Sequence, residues 1–280
     1  MKIPFIKIEG LGNDYLYVDR KSLPGKVANF AKLSRQMSDR RFGIGADGLL
    51  IIEKRGADSA FMEIYNSDGS KAEMCGNGLR GTALYLKTVT KSNRKKYTIS
   101  TDYDDYEVEF LKTTKAHSLI RASFGSPKFE SANIGYIGDD KNCLGITLKV
   151  LDKDWTLYCV AMPNPHAVIF VEDFDFDWQN VGMAIENNNI FKNRINVMFV
   201  KIDSENRISV MPWERGSGAT TACGTGAAAA TVISNLLERT TGEVIAQMRG
   251  GSLKTFWNIG ENIVYQEGPT RVVFSGSISF

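Results

Sequence analysis

Apolar and polar residues alternate over residues 3–8, and a second apolar run follows at 15–18, across the glycine-rich turn Gly10-Leu11-Gly12-Asn13-Asp14. Both runs read as strands. Residues 27–39 carry helical spacing through Val27, Phe30, Ala31, Leu33 and Met37. Strand patterns return at 49–53 and 60–65, a helical one at 78–89, and strands at 97–101, 106–111 and 119–124. The order then restarts. Strands at 146–151, 155–161 and 167–171 lead to a short helix at 180–186, followed by strands at 195–202 and 207–211. A helix at 226–237 is built around the alanines 227–230, which favour that conformation. Strands at 244–249, 252–257, 262–266 and 272–275 close the chain. This repetition predicts an α/β chain of the α+β type with two like domains, and a ligand site in the cleft between them.

The repeat is sharpest at two stretches. Tyr65-Asn66 leads to Cys75-Gly76-Asn77-Gly78, and Trp213-Glu214-Arg215 leads to Cys223-Gly224-Thr225-Gly226, 148 positions on (75 to 223). Each Cys-Gly-x-Gly opens a helical run. A thiol at a helix start has a lowered pKa, which suits it to alternate between acid and base. The free N–H groups of the first turn, with the helix dipole, form a site for an anion such as a carboxylate. Two such thiols supply what inversion at an amino acid α-carbon needs: a base on one face and an acid on the other. The same donors would stabilise charge moving onto the carboxylate, so no electron-sink cofactor is required. A single cysteine beside a glycine reads equally well as a small buried apolar residue; the repeat is what separates the two readings. Cys159 lies in an apolar strand and reads as core, and Cys143 sits in a polar loop with no signal of its own.

Composition narrows the field. The 280 residues are 43% hydrophobic and 24% charged, with a net charge of +2, which gives no reason to expect a nucleic acid or membrane partner. The run Lys91-Ser92-Asn93-Arg94-Lys95-Lys96 reads as a solvated turn. Four cysteines without Cys-x-x-Cys, and two histidines, do not make a disulfide framework or a metal cluster. No apolar run approaches the ~18–20 residues of a membrane span, and the N-terminus lacks a signal-peptide core. A cytoplasmic protein is expected.

These residues, taken together, resemble the diaminopimelate epimerase family. The resemblance runs through Lys7-Ile8-Glu9-Gly10-Leu11-Gly12-Asn13-Asp14, through Arg41-Phe42-Gly43-Ile44-Gly45-Ala46-Asp47-Gly48, and through 66–80 around Cys75. It continues at Asn164-Pro165-His166, Asn196-Val197, Glu214-Arg215-Gly216, 222–227, and Gly250-Gly251-Ser252-Leu253. It implies two pseudo-symmetric domains, each a barrel-like, mostly antiparallel sheet around a central helix, with the last strand returning to the first domain. Residues 1–119 with 267–280 would carry Cys75, and 120–266 would carry Cys223. It implies epimerisation of LL-2,6-diaminopimelate to the meso form for lysine and peptidoglycan precursors, without cofactor or metal, by a homodimer.

By position, Cys75 and Cys223 resemble the acid/base pair. The N–H groups of Gly76, Asn77, Gly224 and Thr225 resemble the α-carboxylate cradle. Asn13 resembles the residue that closes over the reacting end. Asn66, Asn164, Asn196, Glu214 and Arg215 resemble the group holding the distal amino acid end. His166 and Glu214 are expected to tune the thiols, with a structural histidine as the other reading of His166. Arg41 and Asp47 are expected to support loops. Three positions depart from the family's usual residues: Ala219, where glutamate is usual, Pro163, where glycine is usual, and Gly48, where many members carry glutamine. Two alternatives keep the fold: a racemase of another amino acid, and an amino-acid-binding protein without catalysis.

Overall fold

Strand β1 (Lys2–Gly10) buries every second residue over its first half, including Ile3 and Phe5. It folds back on β2 (Asn13–Asp19) through Leu11 and Gly12 alone, both left-handed at φ 56° and 81°. A two-residue turn of that kind matches the twist of paired strands, and glycine meets its demand best. The computed structural model describes residues 2–23 and 29–279, so the start of the helix expected at 27–39 lies outside the described residues. Its remainder is α1 (Phe30–Ser38), capped by Asn29, whose side chain accepts from the Lys32 N–H at 2.9 Å.

The chain divides into two compact units, Met1–Ser123 with Glu267–Phe280, and Phe124–Gln266. In the first, β3 (Gly48–Lys54) runs parallel to β2, and β4 (Ser59–Asn66) antiparallel to β3. The short β5 (Lys71–Ala72) pairs with β4 and delivers the chain to α2 (Gly76–Thr90). Then β6 (Lys96–Ser100) runs parallel to β4, followed by the antiparallel β7 (Asp105–Thr113) and β8 (Ser118–Ser123). The last strand pairs with both β8 and β1 and closes the ring into a barrel. Helix α2 is buried on nearly all sides from Gly76 to Leu86 and packs against seven of these strands, so it forms the barrel's axis.

The second unit repeats the plan. A short α3 (Ser131–Ile134) precedes β9 (Leu144–Val150) and β10 (Lys153–Met162), joined by the left-handed pair Leu151 and Asp152. Strand β11 (Asn164–Phe170) leads through α4 (Trp178–Glu186) to β12 (Asn196–Ser204), parallel to β11. Next come β13 (Arg207–Glu214), the short β14 (Gly218–Ala219) and α5 (Gly224–Leu236). Strand β15 (Glu243–Met248) is parallel to β13, and β16 (Gly251–Asn258) and β17 (Ile263–Ser279) follow. Helix α5 is buried throughout from Thr225 to Ser234 and takes the axial place. Residues 124–128 bridge the remaining gap: Phe124 and Gly125 hydrogen-bond Val264 at one side, and Lys128 bonds Ala161 at the other.

Two sequence expectations need correction. The strands expected at 262–266 and 272–275 are one strand, β17, because Pro269 interrupts the donor row for a single residue and pairing with β1 begins at Arg271 and Val272. The helices of both motifs start two residues earlier than their apolar patterns, at Gly76 and Gly224, since the cysteines themselves are the caps.

Candidate active site: two cysteine-capped helices

Cys75 is the N-cap of α2, with φ −146° and ψ 118°, and its sulfur accepts the Gly78 N–H at 3.3 Å. Cys223 is the N-cap of α5, with φ −131° and ψ 112°, and its sulfur accepts the Gly226 N–H at 3.3 Å. Serine, threonine and aspartate are the usual caps, so a thiol twice in this role points to chemistry at sulfur. The last glycine of the second motif is a steric requirement, and that of the first sits in a tight space. A Cβ on Gly226 would lie 2.3 Å from Met198 Sδ and 3.2 Å from Cys223 Sγ, and one on Gly78 would lie 3.3 Å from Cys75 Cβ. In both helices the first-turn N–H groups have no intrahelical acceptor, and the dipole adds partial positive charge there.

The surroundings of the two thiols differ. Cys75, half-buried, has its sulfur 3.8 Å from Asn13 Oδ1. The Asn77 amide donates to the same oxygen at 3.2 Å, and Arg80 donates to Asn77 Oδ1. Asn13 Nδ2 donates to Asp47 at 2.7 Å, and Arg40 bonds both Asp47 and Asp14, each at 2.8 Å. Lys7 completes the cluster at 2.7 Å from Asp14. Burial raises the Asp14 pKa, but hydrogen bonds from Arg40 and Lys7 outweigh it and hold the carboxyl below its usual range. Burial, together with the Cys75 charge, pushes the phenols of Tyr15 and Tyr17 well up.

Cys223 is buried, with Thr225 Oγ1 at 3.5 Å from its sulfur and its own N–H donated to Met248 Sδ. Burial pushes its thiol pKa well up, and the Glu214 carboxylate pushes it further. Burial also raises Glu214, partly offset by the Thr220 hydroxyl, which donates to it at 2.5 Å. Gln266 ties down the cap by donating to the Gly224 carbonyl at 2.8 Å.

The remaining expected residues separate by unit. Asn66 ends β4 in the first unit, and its amide donates to Ser70. Asn164, Asn196, Glu214 and Arg215 stand at adjoining strand ends in the second. Asn196 is a brace: it donates to the Pro165 carbonyl and accepts the Arg215 N–H, at 2.8 and 2.9 Å. His166 is fully buried and donates from Nε2 to Asn164 Oδ1 at 3.0 Å. Burial first, and then the Arg215 charge, drop its pKa to about 3, so it is neutral at physiological pH. Pro163 is the exposed residue at the tight bend between β10 and β11, where it breaks no ladder bond. Gly48 cannot carry a side chain, because a Cβ would stand 2.3 Å from the Tyr65 carbonyl.

Several residues carry no signal in the apolar pattern. The loop support is Arg40; Arg41 is exposed, and among the described residues its hydrogen bond is from the backbone N–H to Asp39. Buried Glu186 accepts from Trp213 Nε1, Arg194 and the Gly216 N–H, which clamps the segment carrying Glu214 and Arg215. Cys143 is fully buried rather than in a polar surface loop, and its sulfur lies 2.8 Å from that of Cys159. Among the described residues, no group of three or more His, Cys, Asp and Glu side chains is placed to hold a metal ion. No described helix is long and apolar enough to cross a membrane.

Residues 5–130 and 158–273 match the diaminopimelate epimerase family. The chain is 39% identical over 285 residues to the diaminopimelate epimerase of Halothermothrix orenii, covering 99% of this chain and 98% of that one. It is 37% identical to that of Leptospira biflexa, covering 99% of each. Among solved structures, the Bacillus anthracis phenazine biosynthesis protein of the PhzF family superposes with a TM-score of 0.72, at 13% identity, over the full length of both chains. A hydroxyproline epimerase from Agrobacterium vitis superposes at 0.70, with 10% identity, over 99% of this chain and 91% of that one. At such identities these structures establish the fold: two pseudo-symmetric α/β halves.

Proposed function

We propose that this chain, which belongs to the diaminopimelate epimerase family and is an isomerase, converts LL-2,6-diaminopimelate to meso-2,6-diaminopimelate without a cofactor. The observation that carries the mechanism is the twofold cysteine cap, two thiols on matching backbones with one N–H donor each. One thiolate takes the α-proton, and the other thiol returns a proton to the opposite face. The N–H groups of Gly76, Asn77, Gly224 and Thr225 hold the α-carboxylate and stabilise charge that moves onto it as the proton leaves. Asn13 closes on the reacting end.

Arg215, with its planar fork, takes the distal carboxylate. Glu214, Asn66, Asn164 and Asn196 complete the distal end, and neutral His166 orients Asn164. Residues 1–119 with 267–280, and residues 120–266, act as the two domains that bring one cysteine each. The product serves lysine and peptidoglycan-precursor synthesis in the cytoplasm. A homodimer is the assembly, supported by the consecutive exposed residues Val272, Val273 and Phe274 on β17.

The test is a panel of amino acids, with chiral chromatography of the products. Inversion of diaminopimelate at rates far above other substrates is expected. Preferential racemisation of a different amino acid would replace this substrate while keeping the thiol chemistry, and binding without α-proton exchange would remove both.

A further inference from the structure

Arg80 is among the largest fully buried side chains, with no measurable exposure. A buried guanidinium is expensive, and an apolar residue of similar volume is often more stable in its place. The pseudo-repeat makes that comparison within this chain, because the position 148 residues on (80 to 228) is Ala228, also fully buried in its axial helix.

What Arg80 touches explains its presence. Its guanidinium donates to Asn77 Oδ1, so the Asn77 amide nitrogen must face Asn13, where it donates to Oδ1 at 3.2 Å. Asn13 therefore turns its oxygen to the Cys75 sulfur, 3.8 Å away, and its nitrogen to Asp47, 2.7 Å away. A flip of either amide would set donor against donor or acceptor against acceptor. A cation at one end of this chain and a carboxylate at the other thus fix both amides in one orientation. The Cys75 thiol is served in both protonation states. The S–H has the Asn13 oxygen, and the thiolate has the Gly78 N–H, the helix dipole and the Arg80 charge.

We propose that Arg80 is a positioning residue of the Cys75 site, holding the Asn77–Asn13 amide pair against the sulfur and keeping a buried positive charge beside that thiol. The proposal rests on the reading of Cys75 as an acid/base group. Among the titratable groups acting on Cys75 are Tyr15, Tyr17 and Arg80. Burial, partly offset by interaction with Cys75 and Tyr17, lowers Arg80 to about 10, so it stays charged at neutral pH. Tyr17 is held close to this helix by Gly81, where a Cβ would lie 1.9 Å from the phenol oxygen.

The test is alkylation by iodoacetamide in the folded full-length protein, with the rate at each cysteine followed separately by peptide mass spectrometry. Thiolate is the reactive form, and one pKa unit is about a tenfold change in its fraction. Arg80→Met is expected to slow Cys75 by about tenfold or more and to leave Cys223 within about twofold. Arg80→Lys, which keeps the charge, is expected to retain Cys75 reactivity within about threefold while lowering kcat, since the planar fork to Asn77 is lost. An unchanged Cys75 rate in Arg80→Met overturns the proposal, as does equal slowing at both thiols. If Arg80→Met does not fold, Arg80→Lys decides: tenfold slowing at Cys75, or unchanged kcat, overturns it. Alkylation reads Cys75 whatever the substrate, so failure of the diaminopimelate assignment leaves this test standing.

Discussion

The helix that begins at Cys75 and the helix that begins at Cys223 share a backbone and differ in charge. Both thiols cap an axial helix with matching dihedrals and the same 3.3 Å contact to the third N–H. Beside the first lie buried Arg80 and two neutral phenols; beside the second lies the Glu214 carboxylate. The backbone is matched at the two thiols, while burial and the Glu214 carboxylate hold Cys223 toward the thiol and a buried cation lies beside Cys75. The asymmetry extends to the residues proposed for recognition, since Arg215 and Glu214 stand where the first half has Ser67 and Asn66.

The comparison breaks most sharply at sulfur. Cys75→Ala and Cys223→Ala are each expected to lower epimerisation by about 10³-fold or more, the upper range for loss of a general acid or base. Substantial activity in either variant would reduce the pair to one functional thiol. Next in size is Arg215→Ala. Loss of a charge-assisted hydrogen bond, about 1.5–3 kcal/mol, should raise KM by roughly ten- to a hundredfold, while Ser67→Ala, its counterpart, changes little. Equal effects at the two positions would contradict the assignment of the distal end.

A third test uses His166, which holds the place of Tyr15 two residues after the matching asparagine. The folded pKa of about 3 lies below the ordinary 6.5, so the unfolded chain takes up a proton that the folded one refuses. Stability is therefore full above pH 6.5 and declines as pH falls toward about 3. The loss attributable to His166 is about 2 kcal/mol at pH 5. His166→Gln should flatten this slope in urea titrations across that range, and an unchanged slope would mean that the imidazole is not held neutral. The smallest effect is at Glu214→Gln. Removing the carboxylate should lower the Cys223 thiol pKa and speed its alkylation at neutral pH by roughly threefold to tenfold, with Cys75 unaffected.

Much of this architecture was legible because burial follows period. The β1–β2 and β3–β4 pairs and both axial helices follow from alternating or continuous apolar runs. The paired motifs were visible because glycine and cysteine are there for steric and chemical reasons that recur. Buried charge was not legible. Arg80, Glu186 and the Asp14–Lys7 pair read as ordinary polar positions, since only the tertiary fold decides which charge loses its water. One signal was available for Arg80: the second copy of the motif has alanine at its place. Ser131–Ile134, Lys71–Ala72 and Gly218–Ala219 were too short for any period, and Cys143 looked solvated because its neighbours in sequence are polar.

The measurement that bears most directly on two-base inversion is isotope placement in the first turnovers. LL-diaminopimelate is incubated with the protein in deuterium oxide, and both isomers are analysed at low conversion. Two-base inversion predicts one deuterium at the inverted carbon of nearly every product molecule, and almost none in the recovered substrate. Deuterium appearing equally in substrate and product would mean that a single base serves both faces, and would contradict the account.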